Sequence, residues 1–169
     1  MPKLGTLGVG EISDLKAVEA SVEEMLLDIA SRELGVAREN LVVRDSDPKT
    51  DFGLTNSVWE ATLSTANTYT DVVDTTIADN RFVAIYGINR ATDNFSLVKF
   101  VSGAKTLDIW NTENIYNLRN QIKVVRSPIV LRQNTPIKIQ VYATTTGTAR
   151  PLFYAKTCEV KGRIVEPGS

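Results

Sequence analysis

The chain has 169 residues and 18.6 kDa, enough for one domain with a short appendage, and its 19 basic and 20 acidic residues leave a net charge of −1. It contains no histidine and a single cysteine, Cys158. Those absences exclude His-based triads, Cys–His pairs, His metal clusters, zinc fingers and an intramolecular disulfide, and no cofactor is expected. No basic excess points to nucleic acid. No stretch approaches the roughly 18 apolar residues of a membrane span. Residues 1–10 lack the apolar run of a signal peptide, so a cytoplasm is the expected place of synthesis. The charge is uneven: residues 1–51 carry six basic and eleven acidic side chains, residues 52–169 thirteen and nine. Either the acidic segment of one copy docks on the basic body of another, or the two are separately solvated surfaces.

Residues 1–12, with Gly5, Gly8 and Gly10, read as a flexible arm; the order G-x-x-G-x-G is not a dinucleotide fingerprint. Residues 13–35 read as an amphipathic helix. Ser13 is the expected N-cap, Asp14 sits in the first turn, and Gly35 falls where a left-handed cap belongs. Leu15, Val18, Val22, Met25, Leu26 and Ile29 form an apolar stripe on one face. Such a stripe packs on its own domain or, at a chain end, on a neighbouring subunit; the expected subunit-contact set is Leu15, Val18, Val22, Met25 and Ile29. Residues 36–56 are expected to be a linker or loop, marked by Pro48 and Gly53. Asp45, Asp47 and Asp51 invite a calcium reading. The fifth, sixth and twelfth positions counted from Asp45 are Lys49, Thr50 and Asn56, so the EF-hand pattern fails.

Residues 57–167 are a succession of short strand signals, at 59–63, 68–76, 82–88, 95–101, 106–110, 121–126, 129–131, 137–143, 152–155 and 158–165. Residues 115–120 are ambiguous. Pro128 and Pro136 are expected at strand margins. With no helical pattern between them, these strands predict a mainly β fold: an antiparallel, jelly-roll-like β-sandwich preceded by one N-terminal amphipathic helix. Residues 144–148 read as an uncharged tip loop.

Without histidine, acid–base chemistry falls to carboxylates, Lys and Tyr. Glu60, Asp108 and Glu159 all fall on expected strands, and two facing carboxylates could form a glycosidase pair; solvated strand faces are the commoner use. Cys158 reads as a small buried hydrophobe. Trp59 belongs to the alternating apolar set of its strand. Leu107 and Ile109 are taken as the apolar set of theirs, which leaves Trp110 on the other face. Trp110 and Tyr142 are therefore expected to be exposed, as a subunit contact or as a sugar-stacking platform.

Residues 127–167 present a strand, an Asn-Thr-Pro turn, the alternating I-x-I-x-V-x-A strand, a Thr/Gly loop and a last strand holding Glu159 and Gly162. This pattern resembles small jelly-roll virion proteins of bacterial viruses, which serve as capsid decoration (cement) proteins or single-jelly-roll capsid subunits. The resemblance spans residues 57–167 as a pattern and transfers no functional residue. It implies a non-enzymatic structural protein located in the virion and assembled in the host cytoplasm. Its implied partners are further copies, as dimer or trimer, and other capsid proteins. A carbohydrate-binding β-sandwich, with a glycan as partner, is the alternative.

Overall fold

The computed structural model of the chain describes residues 9–113 and 122–162. Its first element is α1 (Val9–Leu34). The helix begins ahead of the expected cap, so Ser13 lies within the helical backbone. Ile12 stands three residues before Leu15 and continues the same periodicity, which explains the earlier start. Residues 1–8 of the expected arm lie outside the described residues, as do residues 114–121 with the ambiguous 115–120 segment. Gly35, at φ +63°, ends the helix in the left-handed cap the sequence predicts.

The segment 36–56 is not a linker. After a 3₁₀ turn (Arg38–Asn40) it holds β1 (Leu41–Asp45) and α2 (Pro48–Phe52). Asp47 caps α2 by accepting from the Thr50 N–H at 2.8 Å, Pro48 occupies its first turn, and Gly53 closes it at φ +70°. The remaining strands are β2 (Ala61–Leu63), β3 (Tyr69–Thr76), β4 (Phe82–Arg90), β5 (Phe95–Ser102), β6 (Lys105–Asn111), β7 (Ile122–Leu131), β8 (Pro136–Ala143), β9 (Gly147–Ala149) and β10 (Pro151–Val160). The expected tip loop at 144–148 therefore runs into a short strand. Pro128 lies within β7 rather than at its margin. It sits where the β4–β7 register shifts, on a strand at the end of its sheet, and there the missing N–H is tolerated.

The pairing is nested. Each strand of the first half joins its counterpart in the second: β1 with β10, β2 with β9, β3 with β8, β4 with β7 and β5 with β6, all antiparallel. The body is thus one long two-stranded ribbon, turning back at Gly103 (φ +59°) between β5 and β6. Rolling the ribbon adds the β10–β4 and β5–β8 pairings. The result is two four-stranded sheets, β1-β10-β4-β7 and β3-β8-β5-β6, the winding of a jelly roll.

Between the sheets lies the main core, in which Val83, Ile85, Ile88 and Phe153 meet Phe95, Val98, Phe100, Ile139 and Val141. A second core lies on the outer face of the first sheet. There Val22, Leu26 and Ala30 of α1 are buried against Leu41, Phe82, Ala84, Tyr86 and Cys158. This explains β4 (FVAIYGINR), whose unbroken apolar run is buried on both faces. At Gly87 a Cβ would come within 2.8 Å of the Lys123 carbonyl and 2.9 Å of the Tyr154 ring, so only glycine fits where β4, β7 and β10 crowd together.

The expected subunit-contact set is corrected accordingly. Val22 is fully buried on the chain's own sheet, and Leu15, Val18, Met25 and Ile29 pack around the same cluster. Sequence periodicity shows that a helix has an apolar face but not which surface covers it. Much of the charge asymmetry is also satisfied within the chain. Glu33 pairs with Arg132, Glu23 lies 3.8 Å from Lys156, and Asp45 lies 2.6 Å from Lys156. The α1 of the described residues is not long and apolar enough to cross a membrane.

Replacing Leu26 with Ala should cost about 2–5 kcal/mol of stability, the range for emptying a buried leucine site, measured by denaturant unfolding. Replacing it with Asp should lift α1 off a folded sandwich. Thiol-reagent labelling of Cys158, slow in the wild type, then becomes fast while the far-ultraviolet strand signal stays; slow labelling in that variant would refute the packing role of the helix.

Candidate functional site

Four ionisable side chains far apart in sequence meet where β1, α2, β10 and the turn before β4 converge. The Arg44 guanidinium donates to both oxygens of Asp51, Nη1 to Oδ2 at 2.7 Å and Nη2 to Oδ1 at 2.8 Å, and its Nε donates to Glu159 Oε1 at 2.7 Å. Arg81 donates from Nε to Glu159 Oε2 at 3.3 Å and from Nη1 to the Thr50 carbonyl at 2.9 Å. The Asp47 N–H adds a bond to Asp51 Oδ2. Side-chain exposure is 0% for Asp51 and 2% for Glu159. Two cations and two anions balance, and every carboxylate oxygen has a donor. The hydrogen bond to Asp51 raises the Arg44 pKa above its ordinary value against the opposing effect of burial, and Glu159 adds to the rise. This is a clasp rather than a reactive centre.

The three carboxylates considered for acid–base chemistry are not brought together. Glu159 sits in the clasp on β10. Glu60, beside β2, pairs with Arg150 at 3.1 Å. Asp108 stands on β6 in the other sheet, accepting from the Ile109 N–H at 2.8 Å and from Trp110 Nε1 at 3.0 Å. The aspartates of the failed calcium pattern are likewise engaged by protein groups: Asp45 by Lys156, Asp47 by the start of α2, Asp51 by Arg44. A groove of about 450 Å³ beside α2 and β3 is lined by Phe52, Leu54, Val58, Glu60 and Asp74. Its two carboxylates are paired as well, Glu60 with Arg150 and Asp74 with Lys138 at 3.8 Å.

Under α1, polar groups sit among the apolar ones. Tyr86 donates to Glu19 Oε1 at 3.1 Å, and burial with the nearby Glu19 charge pushes the phenol pKa up. Burial, with a smaller contribution from Glu159, pushes the Cys158 thiol from 9.0 to about 11. A thiol of that kind is a packed hydrophobe, as the sequence suggests.

Among the described residues no helix packs on the outer face of the second sheet. Cross-strand register puts Tyr69, Tyr142, Leu97 and Asn111 on one rung, and Asp71, Gln140, Lys99 and Ile109 on the next. Val101 lies further along the same side. Ile109 is 48% exposed and Leu107 36%, two of the three large hydrophobics exposed among the described residues. Tyr142 sits on this face, half-buried, its ring meeting that of Tyr69 edge-on at 5.3 Å. Lys99 Nζ lies 5.2 Å from the centroid of the Tyr69 ring. Trp110 is not on this face. It is 3% exposed and turned inward against Phe100, with ring centroids 4.6 Å apart. The strand phase expected for β6 is reversed: Leu107 and Ile109 point to solvent, and the indole fills the core with its N–H tied to Asp108. Trp59 is in the core as expected, between Phe52 and Phe153.

No protein-family model and no curated protein matches the chain. Solved structures with some similarity to the chain include a Bacillus endospore appendage, from a family of disulfide-linked pili. It is 10% identical, with 72% of this chain and 88% of that one covered and a TM-score of 0.35. Another is the C-terminal CBM6 of LamC from Zobellia galactanivorans, at 9% identity, 70% and 99% coverage and a TM-score of 0.33. A third is the VP2 subviral particle of infectious bursal disease virus, at 10% identity and a TM-score of 0.35, with 74% of this chain and 34% of VP2 covered. Likeness at this level assigns no function. The jelly roll is established by the strand order of the chain itself.

Replacing Asp51 with Ala leaves two arginines short of a partner and should cost roughly 3–5 kcal/mol, the range for breaking a buried ion pair; unfolding in urea measures it. A thiol pKa that is raised by folding contributes stability that is complete below pH 9 and lost as pH climbs through about 11. The Cys158→Ala variant should therefore lose less stability than the wild type between pH 9 and 11, with the residual decline in both reflecting Tyr86 and Lys156, which folding also raises; identical pH profiles would refute it.

Proposed function

We propose that the chain is a non-enzymatic structural protein of a virion shell, a decoration or capsid subunit acting through protein–protein contacts. The observation that supports this most directly is the inequality of the two outer faces. α1 seals one, while the other keeps Ile109, Leu107, Leu97 and the Tyr69–Tyr142 pair at or near the surface. Exposed aliphatics gathered on one sheet face, with the most buried carboxylates committed to a charge-balanced clasp, suit a surface that holds neighbours. The resemblance of residues 127–167 to jelly-roll virion proteins of bacterial viruses agrees with this, and the virion is the location it implies.

The carbohydrate alternative loses the planar platform expected of Trp110, since that ring is in the core. Of the two expected aromatics only Tyr142 is on the open face, and its neighbour there, Tyr69, meets it edge-on. Trp110→Ala is accordingly expected to act on stability, by about 3–5 kcal/mol.

Light scattering of the full chain across a concentration series tests the structural reading. The expected result is a mass that rises above 18.6 kDa with concentration. A constant single-chain mass at every concentration would overturn self-association.

A further inference from the structure

We propose that the open face of the β3-β8-β5-β6 sheet packs on the same face of a second copy about a two-fold axis running along β8. This deepens the structural reading above and rests on it. Two features of the fold direct association to this face. The first sheet's outer face is already occupied by α1. The exposed edge of the second sheet is partly blocked, because the Asp108 carboxylate accepts the Ile109 N–H that an added strand would need.

The charge order is self-complementary on one rung of the open face; on the rung beyond it Lys138 of β8 meets its own image across the axis, each lysine 3.8 Å from its own Asp74. On one rung an acid, an amide and a base follow each other on adjacent strands: Asp71 on β3, Gln140 on β8 and Lys99 on β5. A two-fold axis along β8 lays β3 of one copy over β5 of the other. Asp71 then faces the second copy's Lys99, Lys99 faces its Asp71, and Gln140 meets its own image. On the neighbouring rung the same operation sets Tyr69 over Leu97 and Tyr142 over Tyr142. Ile109 falls at the rim, beside the other copy's β3.

Three strands of each copy (β3, β8 and β5) overlap about this axis; at about 4.8 Å apart and some seven residues long they give roughly 330 Å² per copy. Both copies together bury on the order of 700 Å², well below the usual range for stable complexes, so the contact is weak and depends on concentration. Repetition around a shell makes such contacts effective together.

The test uses two full-length variants, Asp71→Lys and Lys99→Asp, studied by sedimentation equilibrium alone and mixed in equal amounts. Each reversal places like charges across the axis and should weaken self-association about tenfold or more. In the mixture, the Asp71→Lys copy offers two lysines to the two aspartates of the Lys99→Asp copy, and association should return as a heterodimer. That recovery cannot come from a misfolded chain, and thermal melting of each variant supports the comparison. Wild-type association in both single variants, or no recovery in the mixture, would overturn the proposed face while leaving the structural reading standing. A wild type that stays monomeric at all concentrations would overturn the proposed face and self-association with it, and would assign the face to a different protein or to a glycan.

Discussion

Everything in this molecule depends on closing the first strand against the last. β1 and β10 are the outermost pair of the nested ribbon, and the clasp of Arg44, Asp51, Arg81 and Glu159 sits on that seam. Its charges cancel and its geometry is bidentate where burial is deepest, the condition under which a buried ionic group does not cost more in lost hydration than it returns. The clasp also fixes α2, and through Phe52 it joins the aromatic stack with Trp59 and Phe153 that fills the end of the main core. A polar anchor and an apolar filling thus share one short helix. A third arginine, Arg90, which is buried, does similar work at the β4–β5 turn, donating to the carbonyls of Thr92, Asp93 and Thr112 and lying over the Phe95 ring.

The helix makes the sandwich a three-layer structure on one side only. The sheet beneath it is buried on both faces, which accounts for the composition of β4 and for the presence of Cys158 and Tyr86 among apolar neighbours. The other sheet follows the ordinary alternation of a half-buried strand, seen clearly in β8, where Ile137, Ile139, Val141 and Ala143 point in and Lys138, Gln140 and Tyr142 point out. Function is sought on that second face because packing has left it there, and because Asp71, Gln140 and Lys99 follow each other across strands in an order that a two-fold axis along β8 pairs.

Where the pattern was long and strictly periodic, the sequence was readable: the amphipathic stretch of α1, the alternation of β8, the Gly35 cap. β1 was not readable. Leu41 and Val43 face the helix while Val42 and Arg44 face the seam, and five residues ending in Arg-Asp give no alternating signal when a buried charge stands where a hydrophobe is expected. β6 failed for a different reason. In KTLDIWN either Leu107 and Ile109 or Trp110 can be the inward set, and a period of two cannot choose between phases that differ by one residue. What decides is volume and a hydrogen bond: the indole fills the space beside Phe100, and Asp108 holds its N–H. The clasp had no local signature, since Arg44 and Glu159 are 115 positions apart.

The same nesting sets an order in time. The turn at Gly103 brings β5 and β6 together over the shortest loop, and each later pair closes a larger one, with β1 and β10 last. A ribbon that zips from its bend outward forms its long-range contacts late, so folding is expected to be slow for the length of the chain. In reverse, the outer pair is the natural place for opening to start. The clasp and the helix sit there together, raising the free energy of opening where the topology makes it lowest, and amide hydrogen exchange along β1 would read that free energy.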